Sequence, residues 1–157
     1  MKIRELMTKN VETAPPETTL AVAADTLYRK DCGAIVVTSR SGEILGIATD
    51  RDMFIALGTR DRLPSELTLA DVMTKKPVTC SADEDVKNAL DRMRRTKVRR
   101  LPVVDAHGRV AGILSLDDIA RCAAGSNGAN VSEADVMAAY KSICEQAPFA
   151  NPAISRR

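Results

Sequence analysis

Tryptophan is absent from this chain, phenylalanine and tyrosine occur only twice each, and there is one histidine, His107. So few aromatic rings leave no platform on which bases could stack. The near balance of 23 basic against 21 acidic side chains leaves no electrostatic footprint for a nucleic acid either. The four cysteines, at 32, 80, 122 and 144, stand far apart with no Cys-x-x-Cys pair, so no metal cluster is expected. The same shortage limits catalysis. One histidine beside no local nucleophile makes no triad, and Gly-x-Ser-x-Gly, Gly-x-Gly-x-x-Gly and phosphate-loop lysine motifs are all missing. Long apolar runs are lacking too: the longest, Cys32 to Val37, falls far short of the ~20 residues of a membrane span. The start, Met1-Lys2-Ile3-Arg4-Glu5, leads into no apolar signal core. These absences predict a cytoplasmic protein that is not an enzyme and meets neither nucleic acid nor membrane.

What is present is a length of 157 residues, 45% apolar and 28% charged, with a net charge of +2 that names no partner. A chain of this size forms about one domain and buries around 70% of its unfolded surface. The dominant feature is an internal repeat. Sliding the sequence along itself by 66 positions lays Leu6-Met7-Thr8-Lys9 on Val72-Met73-Thr74-Lys75 and continues without a gap to Met53 and Ile119. Identical pairs include Thr13 with Thr79, Asp25 with Asp91, Gly46 with Gly112, Ile47 with Ile113 and Asp52 with Asp118.

Each repeat changes its hydrophobic period in the same order. A short extended piece (Val11 to Thr13; Val78 to Cys80) precedes a helical run whose apolar faces are Leu20, Ala23, Ala24 and Leu27 in one copy and Val86, Ala89, Leu90 and Met93 in the other. Two β-branched runs follow, Ala34 to Thr38 with Ile44 to Thr49, and Leu101 to Asp105 with Arg109 to Ser115, joined by turns containing Gly42 and Gly108. A closing helix begins near Asp50 and near Leu116. Each unit therefore reads strand, helix, strand, strand, helix, an α/β (α+β) pattern. The units are 1–65 and 66–124, joined by a polar linker around Thr59 to Ser65, with 125–157 holding a linker, an amphipathic helix and a tail. A unit of about 50 residues is marginal alone. Two copies should pack about a pseudo-two-fold axis, face to face, and leave a pair of clefts as default ligand sites.

The duplicated Met-Thr opening, the strand Leu101-Pro102-Val103-Val104-Asp105, and the segments Gly46-Ile47-Ala48-Thr49-Asp50-Arg51-Asp52 and Gly112-Ile113-Leu114-Ser115-Leu116-Asp117-Asp118 resemble the tandem cystathionine β-synthase (CBS) domain family over about residues 2 to 124. That resemblance implies a regulatory module binding an adenosyl ligand such as AMP, ADP, ATP or S-adenosylmethionine, often as a homodimer, and acting on a separate partner protein whose identity is unknown. The family's ligand motif is matched in full by Thr49 with Asp52 and by Ser115 with Asp118. A carboxylate can accept ribose hydroxyls, a hydroxyl can reach ribose or phosphate, and a helix N-terminus offers backbone N–H groups to an anion. Glycine permits close approach. The same residues also spell capping boxes for the closing helices, with Asp replacing Glu or Gln, and the hydroxyls can serve both ends.

Arg51, Arg99 and Arg100 are the candidate phosphate contacts, because guanidinium forks suit phosphate oxygens. Gly33 and Ala34 stand where the second unit has Arg99 and Arg100, so the two clefts should differ in charge. Adenine is expected against the strand openings Thr13-Ala14-Pro15 and Thr79-Cys80-Ser81. The basic cluster from Arg92 to Arg100 reads as a solvated helix face and His107 as a turn residue. The cysteines read as free thiols in a reducing compartment. After the break at Gly125-Ser126-Asn127-Gly128, Ser132-x-x-Asp135 resembles another capping box. It opens a helix with Val136, Ala139, Tyr140, Ile143 and Cys144 on one face, a stripe that needs cover from the module or from a second subunit. This ending is similar to that of some stand-alone CBS-pair proteins of the hypoxic-response type. Cys80 and Cys144 would approach if that helix folds back across the second unit, which opens a conditional disulfide beside the simpler reading of free thiols. The alternative to the sensor is a structural or stress-response homodimer with no bound nucleotide.

Overall fold

In the computed structural model, which describes residues 1–123 and 130–145, each repeat lays down its elements in the order that its periodicity sets. In the first, β1 (Thr13–Ala14), helix α1 (Leu20–Lys30), β2 (Ala34–Thr38), β3 (Ile44–Thr49) and α2 (Asp50–Arg60) follow one another. A short α3 (Leu69–Val72) and β4 (Thr74–Lys75) open the second, which repeats the pattern as β5 (Cys80–Ser81), α4 (Val86–Thr96), β6 (Arg100–Val104), β7 (Val110–Ser115) and α5 (Leu116–Ala123). Helix α6 (Glu133–Cys144) closes the described chain. The Thr19 hydroxyl caps α1 by accepting from the Val22 N–H, and the Asp85 carboxylate caps α4 by accepting from the Lys87 N–H. Both helices stop on a left-handed residue, Asp31 (φ 48°) and Lys97 (φ 59°). The apolar face of α4 is buried throughout, whereas in α1 Leu20, Ala23 and Leu27 are buried and Ala24 lies exposed at the edge of the stripe.

Four strands in the order β1-β2-β3-β4 form one sheet and β5-β6-β7 the other. β1 runs parallel to β2 (Thr13 opposite Val36) and β5 parallel to β6 (Cys80 opposite Val103), while the hairpins β2–β3 and β6–β7 are antiparallel with matching register shifts at Val37/Thr38 and Val103/Val104. The opening strands begin two residues later than the apolar pattern predicts, because only Thr13–Ala14 and Cys80–Ser81 reach a ladder partner. The two hairpin turns also meet, since the Val110 N–H donates to the Gly42 carbonyl over 3.1 Å.

The units do not divide cleanly at the linker. β4, which belongs to the second repeat, pairs with β3 of the first (Gly46 opposite Lys75, Ile47 opposite Thr74). Reciprocally, Thr8 of the first repeat pairs with Ile113 of the second through two backbone hydrogen bonds of 2.9 and 3.0 Å. Side chains follow the backbone. Ile3 is fully buried in the core of Cys80, Val86, Leu90, Leu101 and Leu114, with Leu6 and Met7 packed against it. Leu67 and Leu69, with Met73, complete the core of Leu20, Leu27, Ile35, Val37 and Met53. Each unit thus borrows its opening from the other. Burying one such Ile or Leu stabilises by about 1.5–3 kcal/mol, so the exchanged side chains together weigh as much as a typical net stability.

The repeated glycines serve this exchange. A Cβ on Gly112 would lie 2.6 Å from the Thr8 carbonyl oxygen, and one on Gly46 would lie 2.5 Å from the Met73 sulfur and 3.0 Å from the Thr74 carbonyl. The close approach that glycine permits here is by the exchanged backbone and its methionine.

α6 is seated by a complete capping box: the Ser132 hydroxyl accepts from the Asp135 N–H and the Asp135 carboxylate accepts from the Ser132 N–H. It packs on α4 and α5, burying Val131 and Ala139, with Val136 and Ile143 partly covered against the second core. The apolar stripe therefore finds its cover within the chain, apart from Tyr140 and Cys144, and does not call for a second subunit. The Lys97 ammonium fastens its far end by donating to the Ser142 hydroxyl at 3.0 Å and to the Ser142 carbonyl. The pattern break at 125–128 and the tail from 146 onward lie outside the described residues. Cys80 is 2% exposed inside the core while Cys144 is exposed at the end of α6, so α6 folds back over the helices without bringing its thiol to a reachable partner.

Gly112→Ala should lower stability by about 1–3 kcal/mol, the usual cost of overpacking, which for a chain this size is a fall of about 2–12 °C in the melting midpoint. Gly46→Ala should fall less when combined with Met73→Ala, because its closest clash is with a side chain. Gly112→Ala should gain little from Met7→Ala, because its closest clash is with backbone. Thermal melts of these four variants and of Met7→Ala and Met73→Ala alone, forming two double-mutant cycles, check this. Burial pushes the Cys80 thiol up to about 12, well above its ordinary 9.0. In alkylation at pH 8 followed by peptide mapping, Cys144 should label first and Cys80 only on unfolding.

Candidate functional site

At the start of α2 the Asp52 carboxylate oxygen Oδ2 accepts from both the Thr49 N–H (2.9 Å) and the Thr49 hydroxyl (2.7 Å), while the Thr49 hydroxyl accepts from the Asp52 N–H (3.3 Å). At the start of α5 the Ser115–Asp118 pair repeats this with distances of 2.9, 2.6 and 3.1 Å. Ser132 with Asp135 on α6 has the same geometry. The capping role is therefore real in both repeats, and only position can add a ligand role. Each capping carboxylate spends one oxygen on its box. The second oxygen of Asp118 accepts from the Arg121 guanidinium. Among the described residues the second oxygen of Asp52 has no hydrogen-bond partner, and Ile55 stands where the other repeat has Arg121.

Ser115 and Asp118 open onto a cleft of about 460 Å³ that also takes in residues of the first repeat. Its wall is Thr8, Asn10, Val11, Glu12, Lys30, Asp31, Cys32, Gly33 and Ala34 from one unit and Arg100, Ile113, Ser115, Asp117 and Asp118 from the other. The chain between Thr8 and Thr13 crosses from one unit to the other and so becomes a wall of the space between them. Burial pushes the Cys32 thiol up, and the Glu12 and Asp31 carboxylates push the same way against the backbone hydrogen bond from Ala34 and the Arg100 charge. Around the start of α2, Asp50, Arg51 and Phe54 line a hollow of about 260 Å³, and Asp52 lines one of about 170 Å³ with Ile55, Ala56, Thr59, Arg60 and Val72; Thr49 lines neither.

Of the predicted residues, Ser115, Asp118 and Arg100 meet in the large cleft. The Arg100 guanidinium reaches across the axis, so that a Cβ on Gly33 would sit 3.1 Å from its Nη2. Arg99 is exposed beside it, its carbonyl accepting from the Leu116 N–H. Thr49, Asp52 and Arg51 gather at the start of α2. Thr13, Ala14 and Pro15, expected beside adenine, do not line the large cleft, which takes Asn10 to Glu12 instead. In the second repeat Cys80 turns its thiol into the core toward the Pro102 carbonyl and Thr79 accepts from Arg92, while Ser81 is exposed. The reason is the exchange: the stretch that lines the cleft is the crossing before the strand, not the strand itself. Glu12, Asp31, Cys32 and Asp117 were not anticipated. Comparing the repeats for opposed charges, such as Asp31 with Lys97 and Asp117 with Arg51, would have found two of them.

The family profile described as CBS domain matches this chain twice, over residues 3–59 and 69–125. Among curated relatives, the uncharacterized protein YlbB of Bacillus subtilis is 33% identical over 140 residues, covering 85% of this chain and 93% of its own. The uncharacterized protein MK0525 of Methanopyrus kandleri is 29% identical over 119 residues, 76% of this chain, and this chain spans 61% of its length. Among solved structures, the CBS domain pair of protein MJ0100 in complex with 5'-methylthioadenosine and S-adenosyl-L-methionine superposes with a TM-score of 0.71 at 26% identity, covering 78% of this chain and 94% of that one. The CBS domain protein PAE2072 from Pyrobaculum aerophilum, complexed with AMP, gives 0.68 at 25% identity, covering 75% and 89%. The twofold match, lying on the two halves whose openings are exchanged, shows that the chain belongs to the CBS-domain family.

Proposed function

We propose that this chain is a regulatory CBS-pair module that binds an adenosyl ligand, AMP, ADP, ATP or S-adenosylmethionine, between its two motifs and acts on a separate partner protein in the cytoplasm. The observation that carries this reading is the cleft of about 460 Å³ bringing Ser115 and Asp118 of one motif against Asn10–Glu12 and Cys32–Ala34 of the other. Its size falls in the range of small-molecule sites, and its place between two halves of one fold is where such sites form. MJ0100 and PAE2072, which share the fold, are described as complexes with adenosyl compounds. Such a ligand would bridge both motifs at once and so report its presence through their relative position.

The structural homodimer is the second reading, favoured by the Arg121 guanidinium that already occupies the outer oxygen of Asp118. The two readings share one feature, a homodimer. α6 covers the helix pair α4 and α5, whereas on the equivalent pair α1 and α2 Val22 is 57%, Phe54 78% and Tyr28 87% exposed. In the second repeat those positions hold Asn88, Ala120 and Arg94. A second copy laid on α1 and α2 would cover on the first motif what α6 covers on the second.

At a ligand concentration near 100 times its dissociation constant, one site stabilises the fold by about 2.7 kcal/mol, a rise of about 5–11 °C in the melting midpoint. Asp52→Asn and Asp118→Asn should each remove one site. Asn keeps a capping acceptor, so the unliganded midpoints should stay close to the parent. If AMP, ADP, ATP and S-adenosylmethionine at millimolar levels all leave the parent melt unmoved, the sensor reading falls and the structural dimer stands. Light scattering should give a dimer mass at micromolar concentration, reduced to the monomer by Tyr28→Glu with Phe54→Glu. A parent protein that is monomeric throughout would sink the dimer.

A further inference from the structure

The residues that the repeat relates to the wall of the large cleft carry the opposite charge. Around Ser115 and Asp118 the wall holds Glu12, Asp31, Asp117 and Asp118 against Lys30 and Arg100. Lys30 is already paired, its ammonium 3.7 Å from the Glu12 carboxylate. Sixty-six residues along, the backbone positions of Asn10, Asp31, Gly33 and Asp117 are filled by Lys76, Lys97, Arg99 and, counting back, Arg51. All four are exposed cations. Glu12 is answered by the uncharged Val78. The carboxylates next to Thr49 and Arg51 are Asp52 and Asp50, the latter with Oδ2 3.8 Å from a Cβ on Gly33, on the side of the Arg100 guanidinium.

Resting on the adenosyl reading of the clefts, we infer that they take different ligand classes: a nucleotide polyphosphate on the Thr49/Asp52 side, and a phosphate-free adenosyl compound bearing a cation on the Ser115/Asp118 side. The shared chemistry is ribose on the Thr/Ser–Asp box. The difference lies in the group carried on the ribose 5' carbon. On the first side a phosphate chain meets Arg51, Lys76 and Arg99, with Lys97 near the same rim once it releases Ser142, and the free outer oxygen of Asp52 remains for a ribose hydroxyl. On the second side a phosphate chain would meet Asp31 and Asp117 with Arg100 as the one cation of that wall not paired with a carboxylate among the described residues, so two carboxylates oppose one guanidinium and the net field there repels phosphate. A sulfonium or ammonium group would be attracted there. Arg121 leaves the outer oxygen of Asp118 readily, because its side chain is 74% exposed.

Calorimetric titration of the full chain with ATP, with S-adenosylmethionine, and with each into protein saturated by the other tests this. One site per chain for each ligand is expected, with no mutual displacement. Arg51→Asp with Arg99→Gly should weaken ATP more than tenfold and S-adenosylmethionine less than twofold. Asp31→Lys with Asp117→Arg should weaken S-adenosylmethionine more than tenfold and admit a second ATP. These substitutions place on each rim the residue that the other repeat already carries at the same backbone position, including a lysine in the left-handed conformation at 97, so folding should survive, and the unliganded melt verifies it. Competition for one site, ATP filling both clefts of the parent equally, or charge variants acting on the wrong ligand would overturn the assignment while leaving the adenosyl reading intact. Absence of binding by either ligand would overturn both.

Discussion

A methionine and the carbonyl of the next residue lie on a glycine, twice: Met7 and Thr8 against Gly112, and Met73 and Thr74 against Gly46. Much else depends on this contact. No side chain larger than hydrogen fits at either glycine without moving a neighbour, and because each contact joins one repeat to the other, the units are held in a fixed relation by backbone ladders as well as by apolar packing. Ile3 and Leu69 enter cores built mostly from the opposite repeat, so neither half keeps a complete interior when alone. A repeat of about 50 residues lies near the limit at which a single core sustains itself, and exchange of the openings removes that limit by making one cooperative object from two marginal ones.

The exchange also builds the cleft. To travel from its bridge on β7 to its place beside β2, the chain must cross between the motifs, and Asn10, Val11 and Glu12 are that crossing. The cleft wall is therefore made of the segment whose path is set by the Met–Gly contact. Anything that binds there touches the crossing of one motif and the capping box of the other. Under the proposed function this is a route from ligand occupancy to the relative position of the motifs that needs no hinge residue of its own.

The sequence made the repeat, the element order and the capping boxes legible because each depends on local spacing: Thr49 and Asp52, Ser115 and Asp118, and Ser132 and Asp135 form the pairs that their intervals predict. It could not reveal which repeat each opening serves, since Ile3 and Leu69 have equally good apolar periods in either core, and only the long-range pairing of Thr8 with Ile113 decides. The glycines were legible as residues allowing approach, but the approaching group was not. Cys80 shows the same limit. Its position in a short strand opening was clear, whereas the direction of its thiol, inward beneath Pro102, depends on a two-residue ladder too short to leave a periodic signal.

Two copies of one motif, once locked in symmetric relation, are free to diverge wherever the lock is not involved, and the residues sort in that way. Gly46 and Gly112, Met7 and Met73, Ile47 and Ile113, and Asp52 and Asp118 are identical and lie at the exchange or in the boxes. Asp31 and Lys97, Gly33 and Arg99, and Asp117 and Arg51 are opposed in charge or size, and the first member of each pair lies in the wall of the large cleft. The helix faces diverge as well, since α6 seats itself on α4 and α5 and leaves Tyr28 and Phe54 exposed on the first motif. A rim charge costs the fold little at the surface, where a single ion pair contributes at most about 1 kcal/mol, yet it acts directly on a ligand phosphate that has shed part of its water. Divergence at such positions can thus change what a cleft accepts at almost no cost to stability, and the opposed charges of Asp31 with Lys97 and of Asp117 with Arg51 stand at exposed positions, whereas the core pairs such as Leu20 with Val86 and Leu27 with Met93 exchange one apolar side chain for another.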